Sequence, residues 1–326
     1  MYQKVNGETP AGAKVIVITG GTGGIGYQEA LLLGNLPEKH TNVITGRDQA
    51  RGAAAVSTVK SVTDNPNIHL LIADMSSQSE IQKLGVELLS RFPVIDELIN
   101  NAGQLTLKDD VTTPDKQVES VDGIEKDFAV NVVGPVILSR LLVPALKAAT
   151  PTGKIQVTSG GLAGLDDVDF DDIFGTKRGL IFGIPLYSHT KRVMECAVMA
   201  LARELEPEGI AVNVIGGGNF GATAMTRFMS TSDLPCILKC CHYCFMCFMK
   251  RDDGGKSAKT CAKPCVWGTL ATADALGTGN LYLNGAKTKN AHKTKKQSDQ
   301  AEQEKVLAIV NSLIKKEFGS EGMARD

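Results

Sequence analysis

The 326-residue chain carries 35 Lys and Arg against 36 Asp and Glu, so its net charge is close to zero. That length fits one large α/β domain or two small ones, and the balanced charge argues against nucleic acid as a partner. Hydrophobic residues make up 43% of the chain, ordinary for a globular core.

The stretch MYQKVNGETPAG is polar and has no charged segment leading into an apolar one, so no secretory signal is expected. No apolar run reaches the ~18–20 residues that a bilayer-spanning helix needs. Eight cysteines without a signal predict reduced thiols and a cytoplasmic location, or an organelle of similar redox state.

Residues 1–13 read as an N-terminal extension. KVIVIT (14–19) is a short β-branched run and predicts a buried strand. Glycines and a helix near 25–33 follow. NVIT (42–45) and IHLLIAD (68–74) predict the second and third strands, with helices over 49–60 and 77–91. VIDELINNAG (94–103) contains the fourth strand, and 124–149 reads as a long helix despite Gly134 and Pro135. KIQVTSG (154–160) and IAVNVI (210–215) flank a helix over 187–206, and NLYLN (280–284) is a seventh strand. Apolar strands alternating with helices predict a doubly wound, mostly parallel, seven-stranded Rossmann-type sheet in one domain over 14–285. Two segments break the rhythm: an acidic connection at 161–186 and an insertion at about 219–256. Residues 286–326 read as a Lys-rich linker and a helix over 300–317.

TGGTGGIG (19–26) sits between the first strand and the first helix. Glycines let the backbone turn tightly there and approach a pyrophosphate, while the helix N-terminus offers N–H donors. The end of strand two selects the nucleotide, because a carboxylate there binds a ribose 2′-hydroxyl. This chain has Gly46 and Arg47, which suit a 2′-phosphate and predict NADP(H), although Asp48 is at odds with that choice. Asp74, before Ser76 and Ser77, fits an adenine acceptor or a helix cap equally well.

YSHTK (187–191) places Tyr187 and Lys191 one helical turn apart, where an ammonium would lower the phenol pKa towards acid–base use. Ser159 ends strand five, Asn131 lies on the preceding helix, and NNAG (100–103) ends strand four.

In this order the motifs resemble the short-chain dehydrogenase/reductase family over residues 12–284. The long connection between Ser159 and Tyr187, with ITGRD and NLYLN, resembles the branch of retinol dehydrogenases and protochlorophyllide reductases. The resemblance implies that Tyr187 is the general acid or base, that Lys191 lowers its pKa and holds the nicotinamide ribose, and that Ser159 hydrogen-bonds the reacting oxygen. Asn131 would keep a helix bulge and a water relay to Lys191. The cofactor would contact Gly20, Thr22, Gly24, Ile25, Gly26, Arg47, Asp74, Met75, Asn101, Ala102, Gly103, Tyr187, Lys191 and Gly218. The family often dimerises through the helices that here hold Asn131 and Tyr187. One departure stands after strand six, in IGGGNFGATAMT (215–226): Gly217 replaces the family proline, and Thr223 falls one residue late.

The insertion contains DLPCILKCCHYCFMCFMK (233–250), an apolar, sulfur-rich stretch. It predicts a small lipophilic carbonyl or alcohol as substrate. Cys236, Cys240, Cys244 and Cys247 recur at helical spacing, which favours pocket or core lining, and no metal ligand is assigned. Two other readings stay open. One is a thiolate metal site using Cys241, Cys244 and Cys247 with Cys261 and Cys265. The other is peripheral membrane contact of the lobe at 233–251, helped by Lys239, Lys250 and Arg251. The expected activity is NADP(H)-dependent carbonyl–alcohol interconversion. The competing reading is a non-catalytic dinucleotide-binding scaffold on the same fold.

Overall fold

The computed structural model describes residues 12–105, 118–160, 163, 167–177, 184–216, 258–283, 286–287 and 299–315. The insertion at 219–256, with Gly217, Gly218, Thr223 and the cysteine row, lies outside them.

Seven parallel strands form the sheet: β1 (Val15–Ile18), β2 (Thr41–Gly46), β3 (Ile68–Ile72), β4 (Glu97–Asn100), β5 (Lys154–Ser159), β6 (Ala211–Gly216) and β7 (Asn280–Leu283). An antiparallel edge strand of two residues, β8 (Ala286–Lys287), adds an eighth. The order is β3-β2-β1-β4-β5-β6-β7-β8. The chain reverses direction across the sheet between β1 and β4, which opens a crevice at the carboxyl ends of those strands.

The strands are apolar on both sides because helices cover both faces. Along β1, Val15 and Val17 enter one core, while Ile16 and Ile18 enter the other. The second face carries α1 (Gly24–Gly34) and α2 (Gln49–Thr63). The first carries α3 (Gln78–Arg91), α4 (Lys126–Phe128), α5 (Gly134–Leu141), α6 (Val143–Lys147) and α7 (Ile184–Leu205). The predicted long helix is thus a run of three pieces. A π-helical turn, Ala129–Val133, joins α4 to α5.

Two helices and the edge strand were not foreseen. α8 (Ala258–Leu270) contains Pro264, which reads as a breaker, and α9 (Ala273–Leu276) is a single turn. α8 packs on α1, and its C-terminal carbonyls are capped from the sheet. Lys154 Nζ donates to Gly268 O at 2.8 Å, Thr269 O at 2.8 Å and Ala271 O at 2.6 Å. Glu97 Oε2 lies 3.6 Å from the same ammonium. Cys261 and Cys265 sit one turn apart on α8, both buried, as core and not as a surface pair.

The last helix, α10 (Gln300–Leu313), belongs to the main core through Val306, Leu307 and Val310. It lies along α7, where Arg203 Nη2 meets Glu304 at 2.7 Å and Arg192 Nη2 meets Glu302 at 3.4 Å. Arg140 of α5 donates to Asn311 Oδ1 at 2.8 Å. The C-terminal helix therefore covers part of the outer surface of α7 and reaches Arg140 of α5.

Glu29 on α1 is wholly buried and faces the Cys265 thiol, and burial pushes its carboxyl up to about 7. The unfolded chain loses that proton near the ordinary carboxylate value of about 4.3. The native state therefore holds an extra proton between those values, and this contribution to stability falls as pH rises through the window. Glu29→Gln should leave stability nearly unchanged at about pH 5 and raise it at about pH 8 by on the order of 3 kcal/mol. Denaturant melts at both pH values check this.

Candidate active site

The site hangs from the carboxyl ends of β1, β4 and β5. Thr19, just past β1, accepts at its Oγ1 from Asn101 N and from Ala102 N, each at 3.0 Å. Asn101 Nδ2 donates to Thr19 O at 2.9 Å. These bonds lock the glycine turn to the NNAG segment, with Gly103 exposed beyond it.

Gly20 and Gly24 have φ of +67° and +59°, a region that residues with a Cβ rarely adopt. A Cβ on Gly20 would also come within 2.9 Å of Ala102 Cα, and one on Gly26 within 2.9 Å of Gly20 O. The turn therefore presents bare backbone and the N-terminus of α1, with Thr22 buried and Ile25 half-buried. This surface fits a dinucleotide pyrophosphate.

Gly46 at the end of β2 packs against Thr22, whose Oγ1 would lie 2.7 Å from any Cβ there. A carboxylate has no room at that position. Asp48 is instead the N-cap of α2, accepting from Arg51 N at 2.8 Å, so the residue at odds with a 2′-phosphate is accounted for by the helix. Arg47 is exposed beside it. Arg51 was missed by the sequence reading, yet its Nη2 donates to Thr22 Oγ1 at 3.4 Å and places a second guanidinium at the turn. The available signal was its position one turn into α2, on the face towards the glycines. Asp74 uses one carboxylate oxygen to accept from Ser76 N and Ser76 Oγ, both at 2.8 Å. The cap of α3 is Ser77. Met75 is buried under the π-helical turn, where its carbonyl requires Gly134 for close approach.

The four predicted catalytic side chains all lie on α7 or on elements bonded to it. Asn131 is inside the π-helical turn and 1% exposed. Its Oδ1 accepts from Gln104 N and its Nδ2 donates to Gln104 O, each at 2.9 Å. The same amide reaches Thr190 Oγ1 at 3.3 Å, which ties the loop after β4 to α7. Lys191 is 4% exposed, and its Nζ donates to Thr158 O at 2.9 Å, one residue before Ser159. The same Nζ lies 5.7 Å from the centroid of the half-buried Tyr187 ring.

Electrostatics differ from the expectation. Burial pulls the Lys191 ammonium down to about 8, opposed by the Glu195 carboxylate. Burial, with the Asp127 carboxylate second, raises the Tyr187 phenol above its ordinary value instead of lowering it. The reason is geometric: Lys191 gives its hydrogen bond to a main-chain carbonyl, not to the phenol oxygen. In this arrangement the phenol is a proton donor at neutral pH, and the ammonium is close to its own titration.

Glu195 is the second residue the sequence reading missed. It is 3% exposed on α7 and accepts from Ser159 Oγ at 2.6 Å. Its signal was the spacing Tyr187, Lys191, Glu195, four residues at each step. Among the described residues no helix is long and apolar enough to cross a membrane, and no group of three or more His, Cys, Asp or Glu is placed to hold a metal ion.

Comparison with known proteins bears on the family and the fold. Residues 14–170 match the family described as short chain dehydrogenase. Human retinol dehydrogenase 13 is 29% identical over 213 residues, covering 63% of this chain and 58% of that protein. Human polyprenol dehydrogenase is 25% identical over 292 residues, covering 87% and 81%. Among solved structures, the Pseudomonas aeruginosa RhlG/NADP active-site complex aligns with a TM-score of 0.60 at 23% identity, over 83% of this chain and 94% of that one. L-Sorbose reductase from Gluconobacter frateurii, complexed with NADPH and L-sorbose, aligns at 0.62 and 20% identity, over 83% and 94%. Such identities speak to the fold alone. The chain spans 58% of the length of the retinol dehydrogenase 13 proteins it matches.

Over residues 14–170 the chain is thus similar to the short-chain dehydrogenase/reductase family. The relatives it resembles include retinol dehydrogenases 12 and 13 and polyprenol dehydrogenase.

Gly46→Ala should drive a methyl into Thr22 and cost about 1–3 kcal/mol. Adding Thr22→Ala should recover most of that loss, a coupling that a double-mutant cycle of thermal melts measures.

Proposed function

We propose that this protein is an NADP(H)-dependent oxidoreductase interconverting a carbonyl and an alcohol on a lipophilic substrate. The observation that supports the reading is the network about α7, in which Asn131 bonds Thr190, Ser159 bonds Glu195, and Lys191 bonds Thr158 O and lies beside the Tyr187 ring, together with a glycine turn of bare, positive-φ backbone at a strand end of the same sheet. Gly20, Thr22, Gly24, Ile25 and Gly26 would take the pyrophosphate, and Arg51 with Arg47 the 2′-phosphate. Asn101, Ala102 and Gly103, with Asp74 and Met75, would line the adenosine side, Lys191 would meet the nicotinamide ribose, and Gly218 would lie in the covering loop. When bound, the nicotinamide supplies or accepts the hydride.

The chain's own groups supply position and protons. Tyr187, kept protonated by burial, donates to the oxygen of a carbonyl as it gains charge. Ser159 orients that oxygen by hydrogen bond. Lys191, close to its titration, passes protons inward, and Asn131 holds the π-helical turn against Thr190 and the loop after β4. In the alcohol direction the same proton path runs in reverse.

Two further observations support an apolar substrate: the sulfur-rich composition at 233–250, and the names of the relatives, since retinol and polyprenol are long hydrocarbons with one hydroxyl. The lobe at 233–251 would then meet a membrane surface or the substrate. The buried thiols Cys196 and Cys265 suit a reducing compartment such as the cytoplasm.

The test is NADPH consumption with a panel of aldehydes, ketones and quinones, retinal and a polyprenal among them. Lipophilic members should be turned over in preference to polar ones, and Tyr187→Phe should lose about a hundredfold or more in kcat. Arg51→Ala should raise KM for NADPH about tenfold and leave KM for NADH unchanged. Tight NADPH binding without turnover of any panel member would favour the scaffold reading.

A further inference from the structure

Glu195 stands on α7 one turn beyond Lys191 and two beyond Tyr187, so the three share a face. The Ser159 hydroxyl donates to its Oε1 at 2.6 Å, and both residues are buried. An ionised carboxylate can only accept hydrogen bonds, whereas a protonated carboxyl can also donate one. Ser159 has a single proton to place. With Glu195 ionised, that proton is committed to the carboxylate, and Ser159 meets a substrate oxygen only as an acceptor. An alcohol hydroxyl satisfies such an acceptor; a carbonyl oxygen, which has no proton, does not. With Glu195 protonated, its O–H donates to Ser159 Oγ, and the serine proton is released for a carbonyl oxygen.

We propose that Glu195 is a positioning residue that sets the direction of the Ser159 hydrogen bond, and through it which member of the carbonyl–alcohol pair the site receives. This rests on the function proposed above. The protonation change falls in a useful range. Burial pushes the Glu195 carboxyl up to about 7, opposed by the Ser159 hydroxyl, Arg192 and Lys191. The charged groups acting on it are Arg192 and Lys191 from α7; beyond them, Glu302 of α10 pairs with Arg192, and Asp127 of α4 acts on Tyr187. Ser159 is the group that meets it from β5.

Infrared titration of the full chain reads the carboxyl proton without any substrate. The carboxyl signal that Glu195→Gln removes should lose its proton as pH rises through about 7. Ser159→Ala removes the donor to the ionised form and should move that midpoint up by about one pH unit. The kinetic arm uses the panel carbonyl turned over fastest. Wild-type kcat for reduction should fall about tenfold or more across the same titration, while alcohol oxidation does not fall. Glu195→Gln, whose amide does not titrate, should be flat there with KM little changed. If Glu195→Gln fails to fold, the Ser159→Ala titration carries the test from the other partner. A midpoint unmoved by Ser159→Ala, or a kinetic break near pH 7 that survives in Glu195→Gln, overturns the proposal. Full activity of Tyr187→Phe would instead overturn the catalytic reading and leave the infrared result standing.

Discussion

Everything in this site depends on how Thr19 closes the carboxyl end of β1. Its side chain accepts from two main-chain N–H groups of the NNAG segment, and its carbonyl accepts from Asn101. Buried main-chain donors need such partners, and a parallel sheet leaves them open at its strand ends. Satisfying them here draws β1 and β4 together at the topological switch point. The glycine turn is then held against a fixed wall, close enough that Gly20 has no room for a side chain. The remaining contacts of the crevice, including Thr22 against Gly46, are set by that placement.

A second constraint is charge kept away from water. Lys191 and Glu195 are both buried, one helical turn apart on α7. Burial disfavours the charged form of each, so the ammonium moves down and the carboxyl of Glu195 moves up until both lie near neutral pH. Groups poised in this way exchange protons with little driving force in either direction. The same burial raises Tyr187, which keeps the phenol a donor. A lowered phenol pKa would require the Lys191 ammonium to leave Thr158 O and turn towards the ring oxygen.

The C-terminal helix shows how packing decides where a locally legible helix goes. The 286–326 stretch reads as a tail, because its first half is Lys-rich and polar. Yet α10 seats Val306, Leu307 and Val310 in the main core and matches Arg140, Arg192 and Arg203 with Asn311, Glu302 and Glu304. Apolar spacing in 300–313 predicts a helix; no local feature says which surface it meets. That surface is the one formed by α7 and the π-helical turn.

What the sequence determined by itself was the part written in local periodicity and backbone chemistry. β-Branched runs produced β1 to β7 within a residue or two at most ends. Glycines marked the turn at 19–26, and ordered motifs placed Asn131, Ser159, Tyr187 and Lys191. Only the tertiary structure decided the rest, because those features depend on residues far apart in the chain. Arg51 matters through Thr22, and Glu195 through Ser159, 36 residues away. Asp48 turned out to cap α2, and Lys154 caps α8 from across the sheet. The direction of the Tyr187 shift was also a tertiary matter: four-residue spacing puts an ammonium on the right face, but burial and the competing carbonyl of Thr158 decide what that ammonium does.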